Sequence, residues 1–365
     1  MTRTPTTACA AMTALGLAAC EGGGDGSGAS GAELSEDGPY SLAAASASAE
    51  IEGYADAREL AAAERTAAEA SSAIEAVHDR LLTAEAPTEA EWLEVTIDGE
   101  PAAHPVWHHE VMPGAAFELS AGTEFAVSID GTIVSEAAGS HALTAPDTPG
   151  VHMLRAFTAE GDVQQLTLFV LTPWDGDTVL EGYRIGTYPE KPPKGFIRLT
   201  QADMDAPVSP SFVIGQFICK QQPGHWPKFI LTSEPMLKRL ELLLENLRED
   251  GRTEAETFFI MSGFRTPFYN TAIGSSRLSR HMYGDASDIY PDVEGNDDVM
   301  DDLNNDGRIT RADAEWLYDY AAELYANSDE VVPGGIGAYG ANAVHGPFVH
   351  IDGRGRAARW GRGGS

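Results

Sequence analysis

Two stretches far apart in the chain must meet for either to make chemical sense, and this constrains the fold more than any other feature. Ser279-Arg-His-Met-Tyr-Gly-Asp-Ala-Ser-Asp288 carries one imidazole at 281 and one carboxylate at 288, and Phe348-Val-His-Ile351 carries a second imidazole at 350. Two His and one Asp form a suitable donor set for zinc with a fourth position open, the pattern of a catalytic rather than a structural site. The spacing of His281 and Asp288 does not fit one helix face. Gly284, Ala286 and Ser287 instead read as a loop turning into a strand, Ala286–Tyr290. Alternation in the second stretch puts Phe348 and His350 on one face, with Val349 and Ile351 on the other. Two adjacent strands are therefore expected to bring the donors together. A lone His on a strand is more often packing than ligand, but three such donors in apolar, Gly-rich surroundings weigh the other way.

The string Ser279-x-His281-x-x-Gly284-x-Ala286-x-Asp288, followed by His345 and His350, resembles the zinc D-alanyl-D-alanine carboxypeptidases and murein endopeptidases (LAS-type metallopeptidases). The vancomycin-resistance dipeptidases and the hedgehog zinc domain belong to the same wider group. The resemblance covers residues 180–365 and is strongest over 261–290 and 335–360. It implies zinc on His281, Asp288 and His350. It also implies that Arg265, in Ser262-Gly-Phe-Arg265, holds a substrate carboxylate or the oxyanion of a tetrahedral intermediate, for which its forked guanidinium is suited. A structural salt bridge is the other reading of Arg265. Some relatives place a Glu three residues before the last ligand, where this chain has Pro347. The expected acid/base is then His345, as in carboxypeptidase-like members. Ser279 and Asp352 are expected behind the ligands, with Asp352 orienting an imidazole; the plainer alternative is that His345 and Asp352 only shape the loop. The implied activity is cleavage of peptidoglycan stem peptides, with D-alanyl-D-alanine carboxypeptidase first. The alternatives are a crosslink endopeptidase and a non-catalytic, zinc-containing wall-binding lipoprotein.

Between the ligands, residues 302–313 order their oxygen donors as an EF-hand loop does. Asp302, Asn304, Asp306, Thr310 and Asp313 take positions 1, 3, 5, 9 and 12, with Gly307 at position 6 and the Arg308 carbonyl at position 7. Position 12 is Asp rather than the usual Glu. The expectation is a structural calcium ion; the alternative is a turn whose Thr310-x-x-Asp313 caps the next helix.

The remainder reads as apparatus for delivery. Arg3 precedes a short apolar run ending Leu17-Ala-Ala-Cys20, which resembles the lipobox of bacterial lipoproteins and implies a signal peptide over 1–19 and lipidation of Cys20. An ordinary secreted protein is the other reading. A Gly-rich tether (20–45) and an Ala/Glu/Arg-rich helical stalk (46–88) follow. Residues 89–175 change to the period of strands, with Phe125, Val127 and Ile129 alternating and turns at Asp98-Gly99, Asp130-Gly131 and Glu160-Gly161. These imply an all-β, immunoglobulin-like sandwich as an accessory domain. Its five His residues, 104, 108, 109, 141 and 152, lack a carboxylate or thiol at ligand spacing.

After a Pro-rich boundary, Leu237, Leu240, Leu244 and Leu247 line one face of a helix starting near Ser233 and ending at Asp250-Gly251. The expected fold class is α+β, with a small antiparallel sheet flanked by helices over residues 180–365. A net charge of −32 argues against nucleic acid as a partner. Besides Cys20, expected to be lipidated, Cys219 is the only cysteine beyond the signal peptide, which excludes a disulfide framework, and its apolar neighbours read it as a buried hydrophobe. The expected setting is an extracytoplasmic face of a bacterial membrane, with the lipid as anchor.

Overall fold

The computed structural model of the protein describes residues 92–159, 161–293 and 298–363. The signal peptide, the tether, Cys20 and the stalk lie outside these residues. What is described is a mixed α+β fold with many strands and few helices.

The first sheet contains β1 (Val95–Ile97), β2 (Glu100–Pro101), β3 (Val106–Val111), β4 (Ala116–Ile129), β5 (Thr132–Thr144), β6 (Gly150–Phe157) and β7 (Val163–Val170). Its order is β2-β1-β4-β6-β7-β3, with β5 also paired to β4. Hydrogen bonding joins these strands into one continuous sheet through the long strand β4. The first part of β4 pairs with β1 and its last part with β6. The register against β5 slips between Ser120 and Phe125, so the sheet curls there over its own core. Phe117, Leu119, Phe125 and Val127 of β4 all point into that core. The Asp98-Gly99 and Asp130-Gly131 turns form as expected, each with φ positive at both residues, the conformation a tight hairpin needs. Two of the five histidines are accounted for by local bonding. His141 is buried between Ser135 Oγ and the carbonyls of Phe125 and Ala138, and His152 pairs with Asp130 at 2.7 Å.

The chain then forms β8 (Thr172–Pro173), a hairpin of β9 (Val179–Leu180) and β10 (Tyr183–Arg184), β11 (Gly195–Leu199), a hairpin of β12 (Pro207–Ser209) and β13 (Phe212–Val213), and β14 (Lys228–Ile230). Strands β14, β11 and β8 make a small sheet. The curled sheet is tied to this region: Thr167 Oγ1 donates to the Pro207 carbonyl at 2.6 Å, and buried His108 Nδ1 lies 2.9 Å from the Val208 carbonyl. Cys219 is buried as expected, and burial pushes its thiol pKa up.

The last part carries α1 (Glu234–Glu249), β15 (Phe259–Ser262), α2 (Pro267–Ala272), β16 (Ala286–Tyr290), α3 (Arg311–Asn327), β17 (Gly335–Tyr339), β18 (Phe348–Asp352) and β19 (Ala358–Trp360). The sheet order is β15-β16-β18-β17-β19, antiparallel except for the parallel β17–β19 pair. Helix α1 buries Leu237, Leu240, Leu244 and Leu247, the face its leucine spacing dictates. Pro235 sits in the first turn, but the Ser233 hydroxyl does not cap the helix; it donates to Asp285 at 2.9 Å. Helices α1 and α3 both pack on β18. Every residue of β16 and β18 is buried, because helices cover one face and the candidate site occupies the other.

Candidate metal centre

Asp288 and His350 are direct partners across β16 and β18. His281 comes from a 3-10 turn, Arg280–Tyr283, that ends at Gly284 with φ +66°. A side chain at Gly284 would run into the Leu231 carbonyl, so the glycine of the motif is required both by conformation and by close approach. The three donors are fully or almost fully buried.

Their ligand atoms converge. His281 Nε2 lies 3.2 Å from His350 Nδ1 and 3.3 Å from Asp288 Oδ1, and His350 Nδ1 lies 2.9 Å from Asp288 Oδ1. Donors about 2.0–2.1 Å from a tetrahedral zinc ion are themselves about 3.3–3.4 Å apart. The triangle is therefore close to one face of a zinc tetrahedron. Among the described residues this trio is the group of His, Cys and acidic side chains gathered closely enough to hold a metal ion.

The far side of each donor is also engaged. His281 Nδ1 lies 2.7 Å from the Gly263 carbonyl; a proton there leaves Nε2 as the lone-pair atom. His350 Nε2 meets Asp352 Oδ2 at 3.1 Å, which leaves Nδ1 to face the centre. Asp352 is itself held by Arg354, at 2.6 Å, and by the Gly335 N–H. Asp288 Oδ2 accepts from Arg265 Nη2 at 2.6 Å.

The electrostatics favour a cation. Burial works against the Asp288 carboxylate, yet His281, His350 and Arg265 together hold its pKa well below the ordinary range. Burial likewise opposes a charge on His350, but hydrogen bonds with Asp288 and Asp352 push its pKa up to about 10. His281 goes the other way: burial, then Arg265, lowers its pKa. The field that keeps a proton on His350 equally favours a divalent ion in its place.

Arg265 is 3% exposed. Its Nε donates to Ser262 Oγ at 2.8 Å, and Nη2 holds Asp288, so it braces a metal ligand from behind. Ser279 opens the turn that carries His281; its buried hydroxyl makes no hydrogen bond with the described residues. His345 lies in the loop before β18. Its Nδ1 is 2.7 Å from the Gly346 carbonyl, and its Nε2 is 2.7 Å from Asn342 Nδ2. With the proton on Nδ1, Nε2 accepts from the Asn342 amide. Sequence reasoning missed Asn342, Arg354 and the Gly263 carbonyl. The close Asp352-Gly-Arg354 spacing was the one available signal.

The 302–313 segment is a tight turn leading into α3. Asp302 accepts from the N–H groups of Asp306 and Gly307, at 3.1 and 2.7 Å. Asp313 accepts from those of Asn304 and Thr310, at 3.3 and 2.7 Å. Thr310 Oγ1 accepts from Ala312 N–H, so the capping reading describes the start of α3. The Asp302, Asp306 and Asp313 carboxylates do not form a donor group like that of the trio above.

Comparison with known proteins locates the match in this part of the chain. The family model described as peptidase M15 matches residues 225–307, a span that includes Arg265, His281 and Asp288 and stops short of His350. No curated protein matches the chain. One solved structure is the Bacteroides ovatus mixed-linkage glucan utilization locus SGBP-B in complex with a mixed-linkage heptasaccharide. It is 16% identical, with 28% of this chain and 32% of that chain covered and a TM-score of 0.15. The chain thus spans about a third of its length, a likeness too slight to bear on fold or function. The part of the chain that is similar to peptidase M15 thus carries two of the three converging donors, and the third, His350, is brought to them by β18.

Proposed function

We propose that the protein is a zinc-dependent peptidase acting on peptidoglycan stem peptides, with a D-alanyl-D-alanine end as the first candidate substrate. The observation that carries this is the 2.9–3.3 Å triangle of His281 Nε2, Asp288 Oδ1 and His350 Nδ1, which fits a zinc ion with one coordination position left over. Zinc, when bound, supplies Lewis acidity. The chain supplies the rest. Gly263 and Asp352 fix the two imidazoles, and Arg265 keeps Asp288 ionised and oriented. His345, whose Nε2 lone pair is held by the Asn342 amide at rest, would exchange that hydrogen bond for the proton of the attacking water and return the proton to the leaving amine.

One observation favours the crosslink endopeptidase as a second reading. A carboxypeptidase needs a cation for the free carboxylate of its substrate, and the Arg265 guanidinium is buried against Asp288, Ser262 and Ser275. Within the same proposal, the donor order in 302–313 supports a calcium ion there; a calcium-dependent rise in melting temperature that Asp302→Ala abolishes is the expected sign. Leu17–Cys20 supports secretion and a lipid anchor at an extracytoplasmic membrane face.

The test is incubation of the purified protein with a defined pentapeptide and a crosslinked muropeptide dimer, with products read by mass spectrometry. Loss of the terminal D-alanine supports the carboxypeptidase, and resolution of the dimer supports the endopeptidase. Intact substrates from zinc-loaded protein would remove the peptidase reading.

A further inference from the structure

Gly337 stands in the middle of β17, opposite His350 of β18 on one side and Trp360 of β19 on the other. A methyl group there would collide with the Trp360 indole, so the ring lies over bare backbone. From that seat its centroid is 5.1 Å from that of the His350 ring. The indole N–H donates to Tyr339 Oη at 2.7 Å. Tyr339 is the register partner of Phe348, and their rings stack at 4.6 Å with 9° between planes. Phe348 in turn meets the His345 ring edge-on at 4.9 Å. Toward its other neighbours, the indole lies 5.3 Å from the guanidinium of Arg354, which holds Asp352 on the back of His350.

We propose that Trp360 is a positioning residue of the active centre, whose indole sets the candidate acid/base His345 relative to the ligand His350 by clamping Tyr339 and, through it, Phe348. The inference rests on the role given to His345 above. The physical need is plain. His350 is fixed by a buried strand, whereas the hydrogen bonds of His345 given above, to Asn342 and Gly346, stay within its own loop. The ring of Phe348 ties that loop to the sheet. Aromatic χ2 torsions are broad, so the Tyr339 ring on which Phe348 stacks gains a defined orientation from the Trp360 hydrogen bond. Proton transfer is sensitive to such positioning, since a misplacement of about 1 Å can cost roughly 100-fold in rate.

The test uses the zinc-loaded full chain on whichever defined peptide the wild type cleaves. Tyr339→Phe keeps the stack and removes the acceptor; Trp360→Phe keeps a ring and removes the donor. Each is expected to lower kcat by about 10- to 100-fold, with KM within about twofold and zinc content unchanged. The double variant is expected to be no worse than either single, because both remove the same bond. A readout independent of turnover is tryptophan emission on loading with cobalt(II): quenching in the wild type, smaller quenching in Trp360→Phe. Unchanged kcat in both single variants, with His345→Ala inactive, overturns the inference alone. Full turnover by His345→Ala overturns the acid/base assignment and the inference together. Quenching as large in Trp360→Phe as in the wild type removes the indole from the neighbourhood of His350.

Discussion

Arg265 Nη2 donates to Asp288 Oδ2 across 2.6 Å, with the guanidinium 3% exposed and the carboxylate fully buried. The residue nominated to grip substrate thus also serves as the counter-charge of a metal ligand. A buried pair of this kind is costly to break from one side, because the surviving carboxylate has no water to replace the lost guanidinium and keeps only His281 and His350.

Arg265→Ala is therefore expected to destabilise the metal-free protein by about 3–5 kcal/mol and to weaken zinc binding. Urea denaturation with chelator present measures the first effect. A midpoint equal to that of the wild type would mean that His281 and His350 suffice to hold the buried Asp288 carboxylate.

Asp352 acts on the metal centre through His350 Nε2, and is held there by Arg354 and the Gly335 N–H. Removing a partner behind a ligand imidazole commonly costs about 10- to 100-fold in metal affinity. Asp352→Asn should show a loss of this order in a competition titration against a zinc indicator, with the fold retained by circular dichroism. Wild-type affinity would make Asp352 a purely structural residue.

Glu110, on β3, faces Glu234 at the start of α1 and the backbone of Thr232. Burial, then the charge of Glu234, raises its pKa to about 7, against the lowering effect of the Thr232 hydrogen bond. The ordinary value is 4.5. With the folded value above the unfolded one, its contribution to stability is full below about pH 4.5 and is lost as pH rises through about 7. Glu110→Gln should lack that loss, so its melting temperature relative to wild type should rise from pH 5 to pH 8. Parallel curves for the two proteins would contradict the placement of Glu110.

Part of this centre was legible in the sequence because two of its three donors, Asp288 and His350, sit on strands. The strands that carry Asp288 and His350, the loop at Gly284 and the leucine face of α1 all follow from local pattern. What was not legible depends on register and distant contact. The bond from Ser233 to Asp285 replaces a cap that local sequence predicts. The slip in β4 that makes one curled sheet leaves no local mark, since each half of the strand alternates normally. Asn342 and Trp360 acquire their roles only once β17, β18 and β19 are aligned, and Gly337 looks like any strand glycine until the indole over it is seen.

His281, Asp288 and His350 are expected to hold one zinc ion between them, and metal content is the immediate check. Purified chain dialysed against zinc and analysed by mass spectrometry of the elements should carry one equivalent. His281→Ala, Asp288→Ala and His350→Ala should each lose it while Cys219→Ala keeps it. No bound zinc in the wild type, or one equivalent retained in all three ligand variants, would show that these residues do not form a zinc site.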